Sequence, residues 1–118
     1  MKLIIAGGRK YNLTSFDILV LDLLHKETYV TEVVCGMAKG VDLAGKAWAK
    51  KRGIPVKEFQ PNWAEFGPAA GPIRNREMAK YADAAILFPG GKGTNNMYLQ
   101  AKSLNLTIFD YRNGDHNG

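Results

Sequence analysis

Apolar runs and amphipathic segments alternate along the chain. LIIA (3 to 6) is an unbroken apolar run of strand length, and TEVVC (31 to 35), AAILF (84 to 88) and LTIF (106 to 109) repeat the form. IPVKEF (54 to 59) predicts a further strand, nearer an edge because Pro55 cannot donate to a ladder. Between these runs the spacing turns helical. Thr14 or Ser15 caps a predicted helix to about Lys26, with Phe16, Leu19, Val20, Leu23 and Leu24 on its inward face. A second helix is predicted from about Val41 to Arg52, with Leu43, Ala44, Ala47 and Trp48 inward and Gly53 as its stop. A long loop, QPNWAEFGPAAG, precedes a third helix in which Pro72 fits the first turn and which runs to about Ala82. Residues 94 to 104 predict a fourth helix.

Strand–helix alternation of this kind predicts an α/β class. The expected architecture is a Rossmann-like three-layer fold, with a parallel sheet of about five strands and helices on both faces. The 118 residues suit one domain, taken as 1 to 109. Residues 110 to 118, DYRNGDHNG, are polar and Gly/Asn-rich and are expected to form a flexible tail. In a parallel sheet every strand-to-helix loop emerges at the carboxyl edge, where ligands bind at the switch in strand order.

Four such loops can be read: GGRKYN (7 to 12), GMAKGVD (36 to 42), the loop entering GPIRN (71 to 75), and PGGKGT (89 to 94). Glycine admits close backbone approach, and a helix N-terminus offers unpaired N–H groups to an anion. Gly7, Gly8, Gly36, Gly40, Gly90, Gly91 and Gly93, with Arg9, Lys39, Asn75, Thr94 and Lys92, are therefore candidate phosphate-binding residues. One glycine-rich turn alone would mean only a tight turn; three converging with several cations mean more. The Walker pattern GxxxxGK[ST] and the GxGxxG fingerprint are both missing, so an ordinary NTPase and a standard dehydrogenase are not supported.

Composition narrows the class further. Apolar content of 46% and charged content of 23% are ordinary for a globular domain. No apolar run approaches bilayer-spanning length, and MKLIIAGG is too short for a signal peptide, so no membrane role is expected. Cys35 is the single cysteine and the histidines are only His25 and His116, so neither a disulfide, a metal site nor a cofactor is expected. Reducing cytoplasm is the expected compartment. A net charge of +5 favours anionic partners without choosing among them. The run Lys50-Lys51-Arg52 reads as a solvated helix end.

RNREMAKYADAAILFPGGKGTNNM (74 to 97) closely resembles, spacing included, the signature of the lonely-guy or lysine decarboxylase-like phosphoribohydrolases. CGMAKGVD (35 to 42) resembles a stretch of the DNA-processing protein A (Smf) family. Both belong to the SLOG superfamily of Rossmann-like nucleotide-binding domains. With its GGRKY start and AGPIRNREM centre, the chain is most similar to the small YspA/cpYpsA-related SLOG proteins over roughly residues 1 to 109. The resemblance implies a homo-oligomer. It places Arg74 on an arginine that helps bind and cleave the nucleotide, and Gly90, Gly91, Gly93 and Thr94 on the phosphate cradle. It also implies two departures: Met97 stands where those enzymes keep a catalytic glutamate, and Asn75 replaces a lysine. A carboxylate can stabilise charge on the sugar or activate water, and a thioether can do neither.

Asp42, at the head of its helix, is the remaining acid candidate beside Arg74, and it reads equally well as a helix-terminal cap; Glu77 reads as a surface residue. Trp63 and Phe66 read equally as a lid over a base or as core plugs, and Tyr11 as a ribose neighbour or packing. The first expectation is a domain that binds a nucleotide or nucleotide-derived ligand without efficient turnover. The alternatives are a nucleoside-phosphate N-glycosidase and a single-stranded nucleic-acid binder, the last weakened by the lack of basic–aromatic interleaving.

Overall fold

The computed structural model describes residues 1 to 112. Five parallel strands, β1 (Lys2–Ala6), β2 (Glu32–Cys35), β3 (Val56–Glu58), β4 (Ala84–Leu87) and β5 (Thr107–Asp110), form one sheet in the order β3-β2-β1-β4-β5. Helices α1 (Ser15–Thr28), α2 (Val41–Lys51), α3 (Trp63–Phe66), α4 (Ala70–Tyr81) and α5 (Lys92–Ser103) connect them. This is a Rossmann-like α/β fold.

The period of two along each strand sorts the core onto two faces. Leu3, Ile5, Val33, Ala84 and Ile86 point toward α1 and α2, where Leu21, Val41, Trp48 and Ala49 meet them. Ile4, Ala6, Val34, Ala85 and Leu87 point the other way, onto Met78 of α4 and Met97 and Ala101 of α5. Strands buried on both faces must be apolar throughout, which is why LIIA and AAILF carry no alternation. β3 lies at an edge, as the proline before it suggests.

Four expectations change. Phe16, Leu19 and Leu23 face solvent, and Leu21 is the fully buried residue of α1. The helix is apolar around most of its circumference, so spacing alone could not choose the face. Its orientation is fixed at the N-terminus: Thr14 and Asp17 form a reciprocal capping box, and buried Asp17 also accepts from the Tyr11 hydroxyl at 2.7 Å. On α2, Leu43 and Ala47 are exposed, and the inward positions are Val41, Gly45, Trp48 and Ala49. The long loop contains α3, capped by Asn62, and a 3₁₀ turn over Gly67–Ala69 that runs into α4 two residues before Pro72. The helix after PGG begins at Lys92, so Gly93 and Thr94 lie in its first turn.

At the C-terminal end the Tyr111 N–H donates to Leu87 O at 2.8 Å. Arg112 pairs with Asp110 and stands 4.2 Å over the Tyr98 ring. The rest of the expected tail, 113 to 118, lies outside the described residues.

Candidate functional site

β1 and β4 are neighbours, yet the chain leaves β1 toward α1 on one face and leaves β4 toward α5 on the other. A crevice must open between the two departing loops. It does, as a cleft of ≈ 880 Å³ at the carboxyl edge.

Backbone packing shapes its floor. The Gly8 N–H donates to Pro89 O at 2.8 Å, and a Cβ on Gly8 would stand 3.0 Å from Gly90 Cα. A Cβ on Gly90 would meet Gly8 N at 2.7 Å and Thr94 Oγ1 at 2.2 Å. The first and last glycine loops are thus pressed together with no room for side chains. Gly40, at φ +81, supports them from behind; a Cβ there would lie 2.4 Å from Gly8 O.

One wall is the N-terminus of α5. Gly91 is its N-cap and no side chain caps the helix, which leaves first-turn N–H groups open to a ligand. Thr94 is only 6% exposed and lines the cleft, and its hydroxyl makes no hydrogen bond among the described residues. An unpaired buried hydroxyl beside unpaired N–H groups is costly unless an acceptor joins them.

The adjoining wall comes from α4. Buried Asn75 donates to Gly93 O at 3.3 Å and to Asn96 Oδ1 at 3.0 Å, and its Oδ1 accepts from Arg74 Nε at 2.9 Å. One amide therefore fixes both the arginine and the start of α5. Arg74 also donates through Nη1 to the Gly36 carbonyl. Burial pushes the guanidinium pKa down, and the nearby Asp42 charge opposes the shift.

Asp42 and Arg74 approach each other over Gly36. A Cβ on that glycine would lie 2.8 Å from Asp42 Oδ2 and 3.1 Å from Arg74 Nη1. Burial pushes the Asp42 carboxyl up to about 6, against the pull of the Ala38 N–H, at 3.3 Å, and of Arg74. Asp42 is 7% exposed, and its carboxyl is half-protonated at about pH 6 and mostly ionised at pH 7.

The structure thus brings Gly7, Gly8, Arg9, Asp42, Arg74, Asn75, Gly90, Gly91, Gly93 and Thr94 to one cleft. Gly36, Lys39 and Gly40 do not line it: two of them stand behind it, and Lys39 is exposed elsewhere on its loop. Lys92 and Lys10 join Arg9 and Arg74, giving four cationic side chains against the one carboxylate of Asp42. Lys10 was legible, being the next residue of GGRKYN. Asn96 was not, because its place depends on where α5 begins.

The aromatic candidates separate. Trp63 lines the cleft and is 50% exposed, whereas Phe66 does not reach it. Tyr11 lines the cleft and its ring stacks on Phe88, but its hydroxyl is committed to Asp17; that bond, with burial, raises its pKa to about 12. Met97 is 2% exposed, packs among the apolar residues between α4, α5 and the sheet, and borders the cleft from below. Cys35 is buried below, where its Sγ donates to Asp42 O at 3.4 Å. Among the described residues no group of His, Cys, Asp or Glu could hold a metal ion, and no helix is long and apolar enough to cross a membrane.

The model of the YspA, cpYpsA-related SLOG family matches residues 1–66. The chain belongs to this family. That match contains the GGRKYN and GMAKGVD loops; the PGGKGT loop of this SLOG chain lies beyond it. Solved structures cover both halves. DNA processing protein A from Streptococcus pneumoniae is similar over 92% of this chain at 17% identity, with a TM-score of 0.72. The structural-genomics target TM1055 is similar over 91% at 21% identity, with a TM-score of 0.69. The SLOG chain spans 49% of the length of the first and 71% of the second. At these identities the likeness is one of fold. No curated protein matches the chain in sequence.

Proposed function

We propose that this SLOG domain binds a nucleotide or nucleotide-derived ligand, with its phosphate at the N-terminus of α5, and does not turn it over efficiently. One observation carries the reading: the buried Thr94 hydroxyl, unpaired among the described residues, stands in the cleft beside the uncapped first turn of α5. A phosphate oxygen would accept from both. Arg9, Lys10, Arg74 and Lys92 supply charge around that point. The absence of turnover rests on Met97, which offers no proton acceptor at the cleft floor.

Thermal denaturation with a panel of nucleotides, cyclic dinucleotides and ADP-ribose derivatives tests this. A ligand at one hundred times its Kd stabilises the folded state by about 2.7 kcal/mol. Thr94→Val should remove most of the shift. If no compound raises the Tm and calorimetry agrees, the binding proposal fails.

A second reading is favoured by one feature, the carboxyl of Asp42 held at about 6 beside Arg74. A group poised near neutrality can act as an acid or base. That would make the protein a nucleoside-phosphate N-glycosidase. Release of free base from nucleoside monophosphates, lost in Asp42→Asn and Arg74→Ala, supports it; no release at high protein concentration rules it out. The fold likeness to a DNA processing protein motivates a separate check with single-stranded oligonucleotides. Phosphate-backbone binding would weaken steeply with salt.

A further inference from the structure

The cleft has an aromatic wall whose use the phosphate site leaves unexplained. α3 has only four residues, held by the Asn62 side chain accepting from the Glu65 N–H at 3.1 Å, and it carries Trp63 at its start. The indole packs into neither apolar cluster of the core. It lies instead across the start of α4, with its Cη2 atom 3.6 Å from where a Cβ on Gly71 would sit. Arg74 Nη2 is 4.0 Å from the same point. A row of neighbouring cleft residues therefore runs from Trp63 past Gly71 to Arg74, which bonds to Asn75, and Asn75 bonds to Gly93 at the start of α5. An indole stands at one end, a guanidinium in the middle and an anion site at the other. That is the order of base, sugar and phosphate in a nucleoside 5′-phosphate.

We propose that the half-exposed indole of Trp63 is the platform on which the ligand's base stacks, and that it makes the cleft selective for purine nucleoside 5′-phosphates. This rests on the phosphate reading above, because the anion at α5 sets which end of the ligand reaches Trp63. A large aromatic side chain left half in water gains when a flat π surface covers it. A purine covers more of an indole than a pyrimidine does, and ribose phosphate without a base covers none. Stacking of one base on one aromatic side chain corresponds to roughly a five- to 150-fold change in affinity. Gly71 belongs to this wall because a Cβ there would stand in van der Waals contact with both the indole and Arg74.

The test is calorimetric titration of the full chain with AMP, CMP and ribose 5-phosphate. Wild type should bind AMP most tightly, CMP less tightly and ribose 5-phosphate most weakly. Trp63→Ala should bring AMP down about tenfold or more, toward ribose 5-phosphate, while leaving ribose 5-phosphate unchanged; Trp63→Phe should keep most of the AMP affinity. Trp63 is half-exposed and outside both apolar clusters, so the buried Trp48 reports that both variants remain folded. AMP should quench an exposed tryptophan emission that Trp63→Phe lacks. Equal binding of AMP and ribose 5-phosphate by wild type, or undiminished AMP binding by Trp63→Ala, overturns the stacking proposal and leaves the phosphate site standing. Failure of all three compounds to bind wild type overturns the phosphate reading and this inference with it.

Discussion

At the residue scale, Asp42 is a carboxyl whose burial opposes its charged form. Its carboxyl rises from 3.8 in the unfolded chain to about 6 in the fold, chiefly through burial. The folded state then holds the proton more tightly, so the stability linked to that proton is full below about pH 4 and is lost as pH rises toward 6. Two pH units correspond to about 3 kcal/mol. Asp42→Asn keeps an acceptor for the Ala38 N–H and carries no charge. Relative to wild type it should therefore gain about 3 kcal/mol between pH 4 and pH 7 in urea unfolding. A difference that stays flat with pH would refute the burial account. Met97 poses the inverse case. Met97→Glu would place a carboxylate among Met78, Leu87 and Ala101, and should cost about 2–4 kcal/mol at neutral pH and less in acid. If it unfolds no more easily than wild type, the cleft floor is wetter than its packing indicates. Such positions also limit what a sequence can tell: Asp42 and Glu77 are both helical carboxylates following a glycine-containing loop, and the fold buries the first at the head of α2 and leaves the second exposed two turns into α4.

At the element scale, α1 shows why spacing underdetermines orientation. Its apolar residues allow two inward faces, and the capping contact of Asp17 with Tyr11 selects the one led by Leu21. Leu21→Ala should cost about 2–5 kcal/mol, and Leu19→Glu should change stability by less than about 0.5 kcal/mol. Guanidinium unfolding of the two variants decides the face; the reverse ranking would mean the helix is turned. α5 shows the complementary point. Its N-terminus was legible as a candidate anion site from PGGKGT, yet its start at Lys92 determines that Thr94 is buried and that Asn96 can accept from Asn75. The two-residue difference in where the helix begins moves Thr94 from its first position to inside its first turn. α3 was read as loop because four residues carry too little periodicity to register.

At the scale of the molecule, the order β3-β2-β1-β4-β5 puts the two strands that frame the cleft at the centre of the sheet. β1 and β4 are buried on both faces, whereas β3 is a three-residue edge strand with mostly exposed side chains. Amide hydrogen exchange should be slowest in β1 and β4 and faster in β3 and α3. Uniform protection across the sheet would contradict that hierarchy. The site therefore stands on the most deeply buried strands of the fold, with one wall, at Trp63, on a four-residue helix that buries none of its residues. Under the proposed binding mode, buried strands would support the phosphate end and a short exposed helix the base end, which suits a site that fixes one end of a ligand and adapts to the other.

The sequence by itself determined the class of fold and the edge at which to look. Apolar runs, helical spacing and glycine loops are local patterns, and right-handed crossovers of parallel strands leave the strand-to-helix loops nowhere else to meet. The tertiary structure alone decided which loop residues face the ligand and which stand behind them. Gly40 and Gly90 look alike in sequence, but the first supports Gly8 from behind and the second meets it across the cleft floor. Likewise Trp63 and Phe66 share one short helix, and only the indole lines the cleft. Burial, close approach and the pKa of Asp42 are properties of residues distant in the chain, and no local pattern encodes a distance between them.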